Sequence, residues 1–272
     1  MPYVRTRLGR WFYEERGVAK KSGDPAIVMW PSLLFDGGMW RDQVEPLAAL
    51  GRVVVFDPPG HGRSEVPPHF SLEDNADALL DAFGERRIDR AVMIGLSWGG
   101  MVGMRMALQH PARVAGLALF DTSAEAEDRA RAVKYRVFVS IGRRLGMPPS
   151  LVATQIVPLF FSERTRRERP ELVERFVRAA NGFPREGTAR AALAVVVRRK
   201  SILARLDAIR VPTLVACGED DRATEPVHSE RIAAAIPGAQ YVSIPRAAHV
   251  SALEQPKAVT EQLVPFVRAR ME

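Results

Sequence analysis

The sequence of 272 residues contains only one cysteine, Cys217, so no disulfide can form within the chain. Cys217 lies in the apolar run TLVACG, which favours a buried and unreactive thiol. Long apolar runs are missing too. Neither the N-terminal stretch MPYVRTRLGRWFYEERG nor any other segment has the apolar length of a signal peptide or a membrane-spanning helix. These absences predict a protein of the reducing cytoplasm with no membrane partner.

Lysine is scarce as well, with 5 residues against 34 arginines, although the formal net charge is +7. Residues 124–206 carry 18 basic and 8 acidic side chains, a net charge of +10, whereas the remaining residues sum to −3. Arginines in this segment fall among apolar residues at helical spacing, as in LVERFVRAANG, which indicates solvated helix faces. The charge therefore predicts no nucleic-acid partner, and an anion-binding role for the segment is the alternative.

Motifs for metals and dinucleotides are also missing from the sequence. No Cys or His cluster has the spacing of a metal site, and no Gly-x-Gly-x-x-Gly follows a strand and opens a helix. We therefore expect neither a metal nor a cofactor. The sequence leaves the oligomeric state open, and a homo-oligomer is compatible with it.

Short apolar runs alternate with longer amphipathic ones along most of the chain. The predicted strands cover residues 26–30, 52–57, 91–95, 114–121, 212–218 and 239–245. Helical patterns occur near residues 40–50, 71–86, 98–110, 226–236 and 254–270. Most of the strands are apolar throughout, as in a sheet that is covered on both faces. The pattern predicts an α/β fold with a mostly parallel central sheet flanked by helices.

The alternation stops after Asp121. Residues 123–206 show only helical patterns, interrupted by the proline- and glycine-containing stretches GMPPS, RERPEL and NGFPREG. We predict that residues 1–122 and 207–272 form the core and that residues 123–206 form a helical cap inserted between two strands. Five apolar side chains of the cap are candidates to face a ligand or, alternatively, to form the core of the cap itself: Phe138, Ile141, Leu145, Phe160 and Phe161.

A nucleophile candidate stands between a predicted strand and a predicted helix. The stretch VMIGLSWGGMVGM contains Gly-x-Ser-x-Gly, with Ser97 between Gly95 and Gly99. A serine on such a sharp turn has a strained backbone and an exposed hydroxyl, and side chains at the two glycine positions would collide with adjoining backbone. At the start of the helix, the amide of Trp98 would point to where a carbonyl oxygen becomes an anion. Because so short a motif also arises by chance, the prediction depends on finding a base and an acid.

A serine nucleophile needs a base, and the best candidate is His249, which follows the last predicted strand in AAHVSALEQP. The small residues around it allow the ring to approach the carboxyl edge of the sheet. The other four histidines occupy less suitable positions. His110 ends a helix, His69 lies in a proline-rich loop, His228 lies on a predicted exposed helix, and His61 in GHGRS suits a structural role.

The histidine in turn needs a carboxylate that orients it. The stretch CGEDDRATEP after the penultimate strand offers Glu219, Asp220 and Asp221. We select Asp221 because the loop has room to turn back there before the next helix begins. Asp121, at the end of LALFD, is the rival, since the acid can also follow that earlier strand.

Five ordered blocks resemble the α/β-hydrolase superfamily, in particular serine carboxylesterases and 3-oxoadipate enol-lactonases. The blocks are DPPGHGRS, GLSWGG, QHPARVAGLALFDTS, RVPTLVACGEDD and AAHVSALEQP. The likeness covers nearly the whole chain and is weakest in residues 123–206. It implies that Ser97 is the nucleophile, Asp221 the acid and His249 the base, in the chain order that these hydrolases use. The dehalogenase and epoxide-hydrolase branches use aspartate at the position of Ser97, which argues against both.

The first loop departs from the family pattern. Most relatives have His-Gly after the first of these strands, whereas this chain has MWPSLLFDGGMW, with Pro31 and Ser32 at those positions. The resemblance implies that Leu33 supplies the second oxyanion amide beside that of Trp98. Enol-lactonase-like members also have serine at the position of Ser32, so we expect the oxyanion hole to be intact.

The sequence thus predicts a serine hydrolase that cleaves a small-molecule carboxylic ester or lactone through an acyl-serine intermediate. Two alternatives use the same three residues, a cofactor-free perhydrolase and a C–C bond hydrolase. A third alternative is a small-molecule receptor that keeps the fold and the three residues but turns over little substrate.

Overall fold

One sheet of eight strands organises residues 2–271, the part of the chain that the computed structural model describes. The terminal residues Met1 and Glu272 of the predicted core lie outside that range. The strands are β1 (Tyr3–Thr6), β2 (Gly9–Arg16), β3 (Ala26–Trp30), β4 (Val53–Phe56), β5 (Ala91–Leu96), β6 (Val114–Phe120), β7 (Thr213–Gly218) and β8 (Gln240–Ile244). Their order in the sheet is β1-β2-β4-β3-β5-β6-β7-β8.

The sheet is mostly parallel, as predicted. All pairings from β4 through β3 to β8 are parallel, whereas β2 pairs antiparallel with both β1 and β4. The six predicted strands are present, with boundaries that differ by at most one residue. Strands β1 and β2 were not predicted, because their polar and charged residues interrupt the apolar runs. Arg5 and Arg10 face each other in the register of this outer hairpin.

Helices cover both faces of the sheet. They are α1 (Arg41–Ala48), α2 (Leu72–Arg86), α3 (Trp98–Gln109), α4 (Arg129–Leu145), α5 (Pro149–Leu151), α6 (Val157–Phe160), α7 (Glu163–Glu168), α8 (Pro170–Gly182), α9 (Arg185–Ala192), α10 (Pro226–Ala235), α11 (Ser251–Glu254) and α12 (Pro256–Met271). The start of α2 illustrates the local sequence code. Ser71 accepts from the Asp74 N–H, and the Asp74 carboxylate accepts from the Ser71 N–H in return.

The core consists of two apolar layers, one on each face of the sheet. Strand β3 is buried at all five positions, and its residues alternate between the layers. Val28 and Trp30 join the layer that contains α2 and α3, whereas Ile27 and Met29 join the layer that contains α12. Burial on both faces explains why the strands are apolar throughout. No helix among residues 2–271 is long and apolar enough to span a membrane.

The chain between β6 and β7 is helical, with α4 to α9 in this interval. Phe160 and Phe161 are buried, and α8 contributes buried Leu172 and Phe176 to the layer that contains α12. Helix α4 behaves differently, because it has no buried residue. Four apolar side chains, spaced four residues apart along it, are 50% to 78% exposed: Val133, Val137, Ile141 and Leu145. The alternative that Ile141 and Leu145 form the core of the cap is therefore wrong, and that they face a ligand stays a prediction. That the interval acts as a cap stays a prediction.

Candidate active site

Ser97 occupies the sharp turn between β5 and α3. Its φ of 54° and ψ of −106° lie in a region that residues with side chains rarely adopt. Two hydrogen bonds from the end of β6 hold this conformation. The Ser97 N–H donates to the Phe120 carbonyl at 2.8 Å, and the Thr122 hydroxyl donates to the Ser97 carbonyl at 2.7 Å. The neighbouring strand β6 and the residues that follow it therefore hold the backbone of Ser97 in its strained conformation.

The glycines beside Ser97 allow close approach of backbone. A Cβ on Gly95 would lie 2.1 Å from the carbonyl carbon of Gly99, and a Cβ on Gly99 would lie 2.2 Å from the carbonyl oxygen of Trp30. Neither contact is sterically possible. The structure thus confirms the steric reason that the sequence suggested for both glycines.

His249 and Asp221 form a buried pair at the carboxyl edge of the sheet. His249 Nδ1 lies 3.0 Å from Asp221 Oδ2 and 3.2 Å from Oδ1. Asp221 Oδ1 also accepts from the N–H groups of Ala223 and Thr224, at 2.8 Å and 3.0 Å. The Thr224 hydroxyl lies 3.0 Å from Asp221 Oδ2 and 3.2 Å from His249 Nδ1. These contacts fix Nδ1 as the donor side of the ring and leave Nε2 to face a substrate or nucleophile.

Asp121, the rival acid, makes different contacts. Its Oδ1 accepts from the Gly218 N–H at 2.8 Å, and its Oδ2 lies 2.5 Å from the Ser251 hydroxyl oxygen. No hydrogen bond joins its carboxyl group to His249 within the described chain. Burial and the nearby charge of Asp221 raise the pKa of Asp121 to about 8. The structure therefore brings Asp221, and not Asp121, to the imidazole.

The three residues share one edge of the sheet, but the serine is not yet bonded to the ring. Within residues 2–271, the Ser97 hydroxyl makes no hydrogen bond to His249, which is common before a ligand tightens a site. Ser97 is only 6% exposed and His249 only 2%. The ring of Phe160 lies over His249, with 4.9 Å between the centroids. Phe160, an apolar candidate of residues 123–206, thus contacts the site directly.

The amides expected to form an oxyanion hole lie on two separate elements. Trp98 is the first residue of α3, so its N–H has no intrahelical acceptor. The N–H of Leu33 donates to no acceptor in the described part of the chain, whereas the next amide, that of Leu34, donates to His61 Nε2 at 3.3 Å. Leu34 has a φ of 67°, so His61 stabilises a strained turn in this loop.

The two buried imidazoles have opposite electrostatic environments. Burial alone would lower the pKa of His249, but the charge and the hydrogen bond of Asp221 outweigh it, and that pKa is raised. For His61, burial lowers the pKa to about 4, against a weaker effect of its hydrogen bond with the Pro59 carbonyl. His61 is therefore neutral at pH 7, and its Nε2 accepts the Leu34 N–H.

The remaining candidates have other partners. His110 lies 2.8 Å from Asp77, and His228 lies 2.5 Å from Glu125. Cys217 is buried, and this burial raises the pKa of its thiol. Two nearby carboxylates, those of Asp121 and Asp221, raise it further, which confirms the prediction of an unreactive cysteine.

Asp121, Cys217 and Asp221 each place a potential ligand atom within 4.8 Å of the others. The carboxylates already accept hydrogen bonds from Gly218 and from the His249 ring, and the thiol is protonated. Metal ligation requires a deprotonated thiolate, so the chemistry of this group fits a hydrogen-bond network rather than a metal site.

The sequence patterns did not point to Thr224, Ser251 and Glu254 as parts of the site. Glu254 Oε2 accepts from the N–H of Ala248, directly before His249, and its Oε1 accepts from the Ser162 hydroxyl at 2.7 Å. The only sequence signal for these residues was their position beside Asp221 or His249.

Comparisons with known proteins cover almost the whole chain. The family model described as the alpha/beta hydrolase fold matches residues 25–256. The 3-oxoadipate enol-lactonase 1 of Acinetobacter baylyi is 28% identical over 251 residues, or 90% of this chain and 89% of that protein. A relative from Azorhizobium caulinodans that bears a carbamate-hydrolase name, RutD, is 30% identical over 98% of both chains. The solved structure of a thermophilic esterase from Thermogutta terrifontis, with malate bound, is similar with a TM-score of 0.90 and 31% identity, over 99% of this chain and 98% of that one.

The first prediction concerns the close approach at Gly99. Gly99→Ala should lower the free energy of unfolding by at least about 2 kcal/mol, because its Cβ cannot avoid the Trp30 carbonyl without moving α3. Denaturant titration measures the change. Gly103→Ala is the matched control on the same helix, since its Cβ meets nothing closer than 3.5 Å. Alanine should raise helix stability there by about 0.5 to 1 kcal/mol. Equal effects of the two variants would contradict the steric explanation.

The second prediction concerns His61 and acid. The pKa of His61 is about 4 in the folded chain and 6.5 as a model value, so only the unfolded state gains a proton as pH falls between these values. The contribution of His61 to the free energy of unfolding is thus fully present above pH 6.5. Below that pH, down to about pH 4, the free energy of unfolding falls by up to about 1.4 kcal/mol per pH unit because of this group.

His61→Gln, which keeps an acceptor for the Leu34 N–H, should remove that part of the slope in denaturant titrations between pH 7 and pH 4. His69→Gln, at an exposed position, is the control and should keep the wild-type slope. A wild-type slope in His61→Gln would refute a buried neutral imidazole.

Proposed function

Because the chain belongs to the alpha/beta hydrolase fold family, we propose that it hydrolyses a carboxylic ester or lactone through an acyl-serine intermediate. One observation carries this proposal. The buried Asp221–His249 pair stands at the same sheet edge as a serine held in a strained turn, with an unbonded amide beside it. The enol-lactonase and esterase similarities support ester or lactone as the substrate class.

In the first half of the reaction, Ser97 Oγ attacks the carbonyl carbon as its proton passes to His249 Nε2. The Nδ1–H of the ring stays hydrogen-bonded to Asp221. The carboxylate thereby holds the tautomer and stabilises the imidazolium that forms. The imidazolium then gives the proton to the leaving alkoxide, so an alcohol departs and the acyl group remains on Ser97. With a lactone, the alcohol stays attached to the acyl chain.

In the second half, His249 takes a proton from water, and the resulting hydroxide attacks the acyl-serine. The proton returns to Ser97 Oγ, and a carboxylic acid leaves. The amides of Trp98 and Leu33 would stabilise the oxyanion in both halves, a contribution that is typically about 3 to 4 kcal/mol per donor. The reaction needs no metal or cofactor.

Residues 123–206 would act as a cap that shapes the pocket. Phe160 lies against His249, and Phe35 from the first loop stacks on Phe176 of α8 with 5.0 Å between the ring centroids. These aromatic side chains bring the helical interval and the first loop into contact beside the site. An apolar wall of this kind suits a hydrophobic acyl or alkyl group.

The third prediction tests the nucleophile. Wild-type protein should give a burst and steady turnover with p-nitrophenyl esters of increasing chain length, and Ser97→Ala should lose both while keeping the wild-type melting temperature. Activity of Ser97→Ala within tenfold of wild type would refute the mechanism. A stall after one equivalent in the wild type would favour a receptor. Turnover of a p-nitrophenyl carbamate but of no ester would instead assign the activity that the RutD name carries.

The fourth prediction tests the first loop. Leu33→Pro removes the backbone N–H and should lower kcat by about 10² to 10³-fold, whereas Leu33→Ala keeps the donor and should stay near wild type. Ser32→Gly is a second control. The buried Ser32 hydroxyl makes no hydrogen bond to residues 2–271, so kcat should change little. A collapse of kcat in Ser32→Gly would show that the hydroxyl itself acts in the site, against the proposed pair of amides.

A further inference from the structure

Asp121 joins the two loops that carry the acid and the base. Its Oδ1 accepts from the N–H of Gly218, the last residue of β7 and the start of the loop that leads to Asp221. Its Oδ2 accepts from the N–H of Ser251 at 3.3 Å and from the Ser251 hydroxyl at 2.5 Å, two residues after His249. The carboxyl group is fully buried, so water does not compete for these bonds.

The backbone around Asp121 extends the same connection. The Asp121 carbonyl lies 2.8 Å from the hydroxyl of Thr224, which in turn lies within 3.2 Å of both Asp221 Oδ2 and His249 Nδ1. The next residue, Thr122, donates its hydroxyl to the carbonyl of Ser97. One dipeptide at the end of β6 therefore contacts the segments of all three candidate catalytic residues.

The two loops also lie so close that small displacements matter. A Cβ on Gly218 would lie 2.3 Å from the Ala248 carbonyl oxygen, so the loop of His249 runs directly over the end of β7. The Asp220 N–H joins the two loops directly by donating to the Ala247 carbonyl at 2.9 Å, and the hydrogen bonds of Asp121 add a buried side-chain link beside it. A shift of about 1 Å in such a geometry can change a rate by about 10²-fold.

We propose that Asp121 is a positioning residue, whose carboxyl group holds the loop of His249 against the loop of Asp221 and so maintains the hydrogen bond between the base and the acid. This inference rests on the proposed function for its kinetic consequences. It assigns Asp121 no contact with substrate. The residue acts through Gly218 and Ser251, and its loss should loosen the pair that both loops carry.

The proton state of Asp121 explains which substitution should be harmless. The charged and titratable groups around it are Asp221, His249 and Cys217, with no lysine or arginine bonded to the carboxyl group in the described chain. Burial and the charge of Asp221 raise the pKa of Asp121 and so favour its neutral form, which makes a neutral amide a close substitute. In Asp121→Asn, the amide oxygen can accept from Gly218 and the amide NH₂ can donate to the Ser251 hydroxyl, while the 3.3 Å bond from the Ser251 N–H is lost.

The experiment compares Asp121→Ala with Asp121→Asn by two readouts. The first is the pKa of His249 from the pH dependence of its Cε1–H NMR signal, assigned by its loss in His249→Gln. The second is kcat and KM with a p-nitrophenyl ester at pH 7. In Asp121→Ala, the pKa of His249 should fall by about one unit as its bond to Asp221 loosens. There kcat should fall about 10 to 100-fold, with KM within about twofold. Asp121→Asn should match wild type within about threefold in kcat, and the pKa of His249 should fall less than in Asp121→Ala, because the substitution removes the charge of Asp121 but keeps its bonds to Gly218 and the Ser251 hydroxyl.

Ser251→Ala is the second variant, and it keeps the inference testable if Asp121→Ala fails to fold. It removes one of the bonds to Asp121, so it should shift both readouts in the same direction by a smaller amount. Equal decreases of kcat and of the pKa of His249 in Asp121→Asn and Asp121→Ala would overturn the proposal. They would show that Asp121 acts through its charge, as the acid of the site would, and not through its hydrogen bonds. An unchanged pKa of His249 and unchanged kcat in Asp121→Ala and Ser251→Ala would also overturn it.

The NMR readout separates this inference from the proposed function. A wild-type protein that turns over no ester but shows the expected changes in the pKa of His249 would refute the hydrolase proposal and leave the positioning role standing. If the wild-type protein shows a normal burst but the pKa of His249 does not change in the variants, the hydrolase proposal stands and the positioning role of Asp121 is refuted.

Discussion

The strained backbone of Ser97 is the constraint on which the rest of the site depends. A residue with a side chain at a φ of 54° and a ψ of −106° costs about 1 to 3 kcal/mol, and it persists only where its surroundings allow no alternative. Here the surroundings are backbone. The Gly99 Cα approaches the Trp30 carbonyl of β3, and the Phe120 carbonyl and Thr122 hydroxyl bond the turn from β6. The two strands beside β5 thus hold the serine hydroxyl at the carboxyl edge of the sheet.

A second constraint follows, because the same edge must also hold several buried acidic groups around one imidazole. Asp221, Asp121 and Glu254 all act on the pKa of His249. Each has its own donors: the loop amides and the ring for Asp221, Gly218 and Ser251 for Asp121, and Ala248 and Ser162 for Glu254. Buried acids are costly unless such bonds satisfy them. Because each acid has its own donors, Asp221 is the one of these three that accepts a hydrogen bond from the His249 ring in the described chain.

The sequence was sufficient for the parallel strands, the flanking helices, the turn at Ser97 and the selection of Asp221 over Asp121 as the partner of His249. Each of these rests on a local pattern of apolar runs, glycines or loop position. The outer hairpin was missed because a strand at the edge needs no continuous apolar run. Contacts of long sequence separation were beyond any local pattern. Asp121 meets Ser251 across 130 residues, and Glu254 meets Ser162 across 92.

The helical interval and the loop of His249 are bonded into one unit by Glu254. Ser162 donates to Glu254 Oε1, while Glu254 Oε2 accepts from the N–H of Ala248, the residue before His249. Two residues before Ser162, Phe160 packs on the His249 ring. A change in the position of residues 160–162 therefore acts on the orientation of the base as well as on the shape of the pocket. Substrate selection and base positioning are coupled through this contact, so the effects of substitutions at Phe160 and Ser162 on KM and on kcat should not be separable.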